Sequence, residues 1–501
     1  MKFLVLSENS NGSWPYLYFR GIGAQELHKR IQAAGYESTV IDWFTHWSET
    51  QLISAAELWF GDEPEPVIAI STPFNTKDVF YLESFLTWAK TRWPSVTVIH
   101  GGGRVYDPTV KHVDVFFLGR SMQIFDDWLH KRDLASYTVQ HDPMVLKNLN
   151  FDQYRDVPVV PSIDHSDCYT SDDILGFEIG VGCKFNCTFC NYELRGAKIS
   201  NLTDSESLHN FFLNAYTQYG IENFFIADDT PNESDVKLEI LANAIQGLPF
   251  RPKLSAFTRL DILAARPQQI EYYKKIQFDS LFFGIESFND QASRGIRKKS
   301  DLYNVYDTLK LLREISPNTF LVGGLIVGLN GDSESSIRES VDKVITEQLL
   351  DSVQLYPLLL LKAQNAIMGE GYRSELELDP ERFGYKLTGE TLPTVISDDL
   401  VHIAKWVSDW IDYDSAVTLA DTLAKETSKR VSNLNHMEYA GLRALNLVDK
   451  SVHNNTKLVD LARKRAYTKS NRLKQIYAQN KMDFFRTYNE KNSTCNSTGT
   501  V

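Results

Sequence analysis

A chain of 501 residues exceeds what one ordinary hydrophobic core serves, so two or three domains are expected. Its composition, 43% hydrophobic and 23% charged, excludes a disordered chain. A net charge of −13 excludes a general nucleic-acid coat, and five unevenly placed cysteines exclude a disulfide framework and point to a reducing compartment.

The N-terminal run "KFLVLS", from Lys2, is too short for a signal peptide, and no apolar run reaches membrane-spanning length. The chain therefore reads as soluble and cytoplasmic. Residues 1–132 alternate short apolar runs with helical patterns. The runs are "KFLVLS", "STVIDW" (from Ser38), "PVIAIST" (from Pro66), "VTVIHGGG" (from Val96) and "VDVFFLG" (from Val113). Near-continuous apolar strands between helices predict an α/β doubly wound domain with a parallel sheet covered on both faces. Ligands in such sheets bind beyond the carboxyl ends of the strands. Residues 133–173 are polar, contain Pro143, Pro158 and Pro161, and read as a linker.

A second series occupies residues 174–363. Its strands are expected at "ILGFEIG" (from Ile174), "IENFFIAD" (from Ile221), "KLSAF" (from Lys253), "SLFFGIES" (from Ser280), "FLVGGLIVGL" (from Phe320) and "SVQLYPLLLL" (from Ser352). Six βα units are too few for a closed eight-fold barrel and suit an open, partial barrel with its site at the carboxyl strand ends. Residues 364–501 read as mainly helical, from "LVHIAKWVSDWIDY" onward, with a frayed tail "KNSTCNSTGT".

Directly after the first strand of the second series stands "GVGCKFNCTFCNY". It places Cys183, Cys187 and Cys190 within eight residues of a chain that has only five cysteines. A tight loop can aim three thiolates at one locus, as iron–sulfur clusters require. A structural zinc site needs four ligands; no fourth lies nearby in sequence, although folding could supply one. A 4Fe–4S cluster held by three cysteines leaves one iron open to substrate or cofactor. Three structural core cysteines, and zinc with a distant fourth ligand, are the competing readings.

The Cys-x3-Cys-x-aromatic-Cys pattern, with Phe189 in the aromatic place, resembles the radical S-adenosylmethionine (radical SAM) superfamily over roughly residues 174–361. The resemblance implies that the open iron chelates the amino and carboxylate groups of SAM. It implies also that one electron cleaves the sulfonium to methionine and a 5′-deoxyadenosyl radical, which abstracts hydrogen from a substrate. A flavodoxin- or ferredoxin-like electron donor is the implied partner. Further positions carry over by place. Asp228 and Asp229 in "FFIADDT" stand where the family has an acceptor for the SAM amino group; a helix cap is the competing reading. Glu286, with Ser287 beside it, ends "FFGIES" and suits the ribose hydroxyls. Arg259 suits the SAM carboxylate or pairs with Asp261. In "LIVGLNGDS", Gly328 and Gly331 would let backbone approach the adenine, against a plain tight turn; Asn330 and Asp332 depart from the family's turn.

A doubly wound domain before such a barrel is similar to the cobalamin-binding subgroup of the superfamily, and Gly101 and Gly102 fit that subgroup's glycine pair. The usual lower-ligand histidine motif is absent, so the domain either binds cobalamin without it or has lost cobalamin. His100 reads as structural rather than as a cobalt ligand. Cysteine positions exclude the second clusters found elsewhere in the superfamily; Cys168 and Cys495 stand alone, and Cys168 reads as incidental. From Asp449 to Lys491 eleven Lys or Arg face four Asp or Glu, an excess of +7. These helices are expected to be solvated and packed on the acidic barrel, or to contact nucleic acid. The expected function is reductive SAM cleavage on an unidentified substrate, with cobalamin-assisted methyl transfer as one form. A non-catalytic zinc- and RNA-binding module is the alternative.

Overall fold

The computed structural model describes residues 1–9, 18–72, 76–102, 109–147, 157–192, 194–196, 201–298, 302–362, 374–396 and 399–497. The N-terminal loop after Asn9, Gly103, the middle of the linker and the Cys495 side chain lie outside the described residues.

The first sheet has seven strands: β1 (Lys2–Ser7), β2 (Glu37–Asp42), β3 (Pro66–Ser71), β4 (Thr97–Gly102), β5 (Val115–Leu118), β6 (Thr138–His141) and β7 (Met144–Lys147). Their order is β2-β1-β3-β4-β5-β7-β6, parallel except for β6. Helices α1 (Ile22–Ala33), α2 (Glu49–Phe60), α3 (Glu83–Arg92) and α4 (Met122–Leu129) cover both faces. The five expected strands are therefore present, and their apolar runs are buried as a two-sided sheet requires. The hairpin β6–β7 corrects the linker reading of residues 138–147. Its short strands are half polar, and Pro143 sits in the turn, where a hairpin needs no donor, rather than breaking a strand.

The second sheet is parallel, in the order β13-β12-β11-β10-β9-β8, and open at both edges. Its strands are β8 (Ile174–Phe177), β9 (Asn223–Ile226), β10 (Lys253–Thr258), β11 (Ser280–Glu286), β12 (Phe320–Val327) and β13 (Ser352–Pro357). Between and after them run α5 (Ser205–Tyr219), α6 (Asp235–Ala244), α7 (Leu260–Ala265), α8 (Ile270–Ile276), α9 (Asp290–Gly295), α10 (Leu302–Ile315) and α11 (Glu334–Thr346). All six expected strands form this half-barrel.

The helical reading of the C-terminal region holds for α13 (Tyr413–Thr427), α14 (His436–Ala444) and α15 (Thr456–Ser497), which follow the short α12 (Glu375–Leu378). It fails for residues 386–407. There β15 (Lys386–Ile396) and β16 (Asp399–Val407) pair antiparallel, with β14 (Leu361–Lys362) on the far edge of β16. In "VHIAKWV" Ile403 and Trp406 fall at helical spacing, but both are buried from a bulged strand pairing. Helix α14 plugs the half-barrel near the strand starts: His436 packs on Phe225, Phe257 and Phe282, and burial lowers its pKa to about 3, so it stays neutral.

Helix α15 packs on α2 and the first sheet, not on the barrel as expected. Tyr477 and Phe485 meet Trp43 and Trp59, and Lys474 and Lys481 are buried. Arg463 pairs with Glu438, Lys469 with Asp172 and Arg486 with Asp483, so much of the basic excess is already engaged. No helix among the described residues is long and apolar enough to cross a membrane.

Candidate active site

The loop after β8 carries the three cysteines at the carboxyl end of the half-barrel. Backbone bonds pin it: Cys183 N donates to Leu194 O (3.2 Å), Cys190 N to Cys187 O (3.1 Å) and Gly196 N to Phe185 O (2.9 Å). Thr188 ties it to the end of α9, donating to Ile296 O, and to α12, accepting from Leu376 N. Cys187 is buried, while Cys183 and Cys190 are partly open. Burial raises both partly open thiols, Cys190 to about 11, and charge at Cys187 and Cys183 raises Cys190 further. Metal binding here must therefore displace protons. The Thr230 hydroxyl stands 3.3 Å from the Cys183 sulfur, and Arg259 Nη1 donates to the Cys187 sulfur at 3.2 Å. The Thr230 hydroxyl, the Phe185 amide and the charge of Arg259 each pull the Cys183 thiol down against its burial, which still prevails.

No group of three or more His, Cys, Asp or Glu side chains among the described residues could hold a single metal ion. The thiols do not close on one point as ligands of one zinc would, and no fourth ligand joins them. Three thiols on one loop, with a guanidinium beside the most buried of them, suit a polynuclear iron–sulfur cluster.

The other expected residues divide. Arg259 is held: its guanidinium forks onto Asp261 at 3.0 and 2.7 Å, stacks 4.1 Å from Phe185, and keeps Nη1 for Cys187. Glu286 ends β11 at a break in register with β12 and has φ +65°, a conformation a β-strand Glu rarely takes. Lys298 Nζ donates to it at 2.8 Å and stands 6.0 Å from the Phe189 ring, so Glu286 and Phe189 share one neighbourhood.

Asp228 turns inward instead. Its carboxylate accepts from Ile179 N (2.5 Å) and Gly180 N (3.0 Å) and from Lys237 Nζ (2.8 Å). Burial raises its pKa to about 6 against the pull of Lys237. It thus holds the root of the cysteine loop, as neither a free acceptor nor a helix cap; Ser234 caps α6. Asp229 is exposed.

Ser287 donates to Asp332 Oδ1 (3.0 Å) and so ties the ends of β11 and β12. Gly328 and Gly331 have φ +110° and +93°, and a Cβ would meet Trp406 at 2.5 Å and Gln291 at 2.8 Å. Packing of this turn against neighbouring side chains accounts for both glycines.

Both hydroxyls that reach Asp332, from Ser287 and Ser336, meet Oδ1; buried Oδ2 has no partner. Burial raises its pKa from 3.8 to about 6. The folded state therefore holds this proton more tightly than the unfolded chain, and the associated stability, complete below pH 4, is lost as pH rises through 6. Asp332→Asn removes that loss. Relative to the parent, the variant is expected to gain on the order of 2–3 kcal/mol between pH 4 and pH 7.5, read from urea midpoints.

In the first domain a cavity of about 280 Å³ lies at the carboxyl ends of β3, β4 and β5, lined by Gly101, Gly102, Phe117, Met122, Arg120 and Glu178 among others. Ile99 and Gly101 line it; His100, one residue out of phase, points to the other face, where Nε2 meets the Thr72 hydroxyl at 2.8 Å. Sequence reasoning passed over Arg120, Glu178, Thr230 and Lys298. Glu178 carried the signal used for Glu286, a carboxylate ending an apolar strand.

Half-barrel, cysteine loop and doubly wound sheet together define a class. Residues 177–344 match the family described as the Radical SAM superfamily, so the chain carries a radical SAM domain. Its fold is similar to that of TsrM from Kitasatospora setae, a radical S-adenosylmethionine methyltransferase solved with cobalamin and a [4Fe-4S] cluster. The TM-score is 0.62 at 12% identity, over 92% of this chain and 99% of that one. It is also similar to OxsB, a cobalamin-dependent S-adenosylmethionine radical enzyme, with TM-score 0.57 and 13% identity over 98% of this chain and 80% of that one. No curated protein matches the chain in sequence.

Proposed function

We propose that this enzyme binds one 4Fe–4S cluster on Cys183, Cys187 and Cys190, uses it to cleave SAM, and transfers a methyl group with the help of cobalamin held by the first domain. The observation that carries the reading is the set of three thiols on one loop at the carboxyl end of the half-barrel, with Arg259 donating to the most buried of them. When bound, the cluster supplies the electron for SAM cleavage and the corrinoid supplies a transferable methyl group.

The chain's own residues bind and orient. Arg259 fixes Cys187 and offsets negative charge at the sulfurs. Asp228 holds the loop root through two backbone amides. Glu286, set by its backbone and by Lys298, is oriented for a sugar hydroxyl. Gly101 and Gly102 let a corrinoid approach the sheet closely. That TsrM and OxsB are described with cobalamin supports this part of the reading.

Such chemistry needs a reductant and a substrate. The donor we infer is flavodoxin- or ferredoxin-like, in a cytoplasmic setting. Nucleic acid does not enter this reading: on α15 Lys474 and Lys481 are buried and Arg463, Lys469 and Arg486 are paired, and the exposed Lys464, Arg465 and Arg472 lie on a helix packed against the first sheet, away from the cysteine loop.

The test is the anaerobic content of iron, sulfide, zinc and corrinoid. About one cluster and one corrinoid per chain are expected. Zinc without labile sulfide overturns the proposal; a cluster with no corrinoid taken up leaves SAM cleavage and removes the methyl-transfer part.

A further inference from the structure

The entry to the cysteine loop is tied down by the segment that follows β9. Asp228 accepts from Ile179 N at 2.5 Å and from Gly180 N at 3.0 Å. Further along, Glu233 Oε2 accepts from Lys184 N at 3.3 Å, and the Lys184 ammonium donates to the Glu233 carbonyl. Cys183 stands between these two anchor points, and its sulfur meets the hydroxyl of Thr230, from the same segment, at 3.3 Å. Residues 228–233 therefore hold residues 179–184 on both sides of the first cysteine.

Both carboxylates converge on one ammonium. Lys237 Nζ lies 2.8 Å from Asp228 Oδ2 and 3.0 Å from Glu233 Oε1, and all three side chains are buried. Helix α6 does not account for this lysine. A cation in the first turn stands against the helix dipole, and Ser234 already caps that end. Nor does stability account for it, because a buried ion pair gains little over apolar packing of the same volume. What the ammonium does is divide the oxygens. It faces Oε1 of Glu233 and leaves Oε2 for Lys184 N; Asp228 keeps Oδ1 for Ile179 N and shares Oδ2 between Gly180 N and the ammonium. The lysine stem also lies against the loop itself. A Cβ on Gly180 would stand 2.7 Å from Lys237 Cε and 2.8 Å from Leu202 Cδ2, so only glycine leaves room for the stem.

We propose that Lys237 is a positioning residue for the cluster ligands, clamping residues 179–184 on both sides of Cys183 through Asp228 and Glu233. This rests on the function proposed above, because only a cluster on Cys183 gives the clamp something to position. Groups that orient metal ligands from behind are worth about 10–100-fold in metal retention. Lys237 acts on the sulfur in this way without touching it, through a carboxylate and a backbone amide.

Residue-resolved amide hydrogen exchange of the full-length, metal-free protein reads the clamp. In Lys237→Met the amides of Ile179, Gly180 and Lys184 are expected to exchange at least about tenfold faster than in the parent, while β10 and β11 keep their protection. Asp228→Asn, with one acceptor oxygen left for two amides, should release Ile179 or Gly180 and leave Lys184 protected; Glu233→Gln should release Lys184 alone. Arg313→Met breaks the pair with Asp351 at the amino end of the half-barrel and is the control for lost stability, so all three amides should stay protected in it. After anaerobic reconstitution, Lys237→Met is expected to lose iron to a chelator at least about tenfold faster than either the parent or Arg313→Met. Unchanged exchange at the three amides in Lys237→Met overturns the proposal, as does unchanged exchange in both amide variants where Lys237→Met does not fold. So does faster exchange with iron lost at the parent rate, which would leave the triad a fold contact only. Failure of the function reading shows separately, as a parent protein without iron or sulfide whose exchange still follows the variants.

Discussion

The Cys187→Ala variant, reconstituted anaerobically with iron and sulfide, is expected to hold neither above background and to form no 5′-deoxyadenosine from SAM. Cys187 is the most buried of the three thiols and the one that takes the Arg259 hydrogen bond. It also accepts, through its carbonyl, the amide of Cys190, so the backbone of the loop survives the change while the sulfur is lost. A cluster held by three cysteines has no spare ligand, and the described residues contain no other group that could replace one. Cys168→Ala is the matched control. That sulfur lies in a different packing environment, 3.6 Å from the Ser166 carbonyl beside Lys481, and the variant should keep full iron and sulfide. Arg259→Met is expected to fall between, because it removes a positive charge from the sulfurs and strands Asp261 without removing a ligand. Equal iron in Cys187→Ala and parent would show that the thiols are not the ligands.

Eleven strands announced themselves in the sequence because a parallel strand buried on both faces must be apolar along its length, as "VIAI" and "FLVGGLIV" are. The cysteine loop was equally plain, since its chemistry depends on local spacing. What escaped is long-range. The hairpin β15–β16 was hidden because its apolar residues, spaced by a bulge and facing Tyr385 and Tyr413, mimic helical spacing. That α14 fills the half-barrel depends on His436 meeting three phenylalanines from three different strands, which no local window contains. Asp228 and Asp229 are adjacent and chemically identical. Only the fold turns one toward the amides of Ile179 and Gly180 and leaves the other exposed. Glu286 was legible as a strand-end carboxylate, but its left-handed backbone was not.

Arg20→Met is expected to be the most destabilising single change outside the two sheets. Arg20 is 1% exposed at its side chain and pairs with Asp42 on β2 (2.7 Å) and with Asp173 just before β8 (2.6 Å), both themselves buried. Its remaining N–H groups reach the carbonyls of Asp167 and Cys168 at 3.3 Å. The guanidinium lies 4.5 Å from the rings of Trp43 and of Tyr477 on α15. One side chain therefore joins the first sheet, the segment leading into the barrel, and the C-terminal helix. Removing it leaves two carboxylates in a solvent-free site without a directly paired cation, which costs about 3–5 kcal/mol for a buried pair. Arg20→Lys keeps the charge but not the fork, so it can satisfy only part of the network and should lose less than Arg20→Met. Replacing the two carboxylates together with the arginine by apolar residues should recover much of the loss, because no charge is then stranded. Urea unfolding followed by tryptophan fluorescence reads all three, with Trp43 stacked on the site as the reporter. A parent-like midpoint for Arg20→Met would mean that water, not protein, solvates Asp42 and Asp173, and that the junction between the sheets is held by its apolar contacts alone.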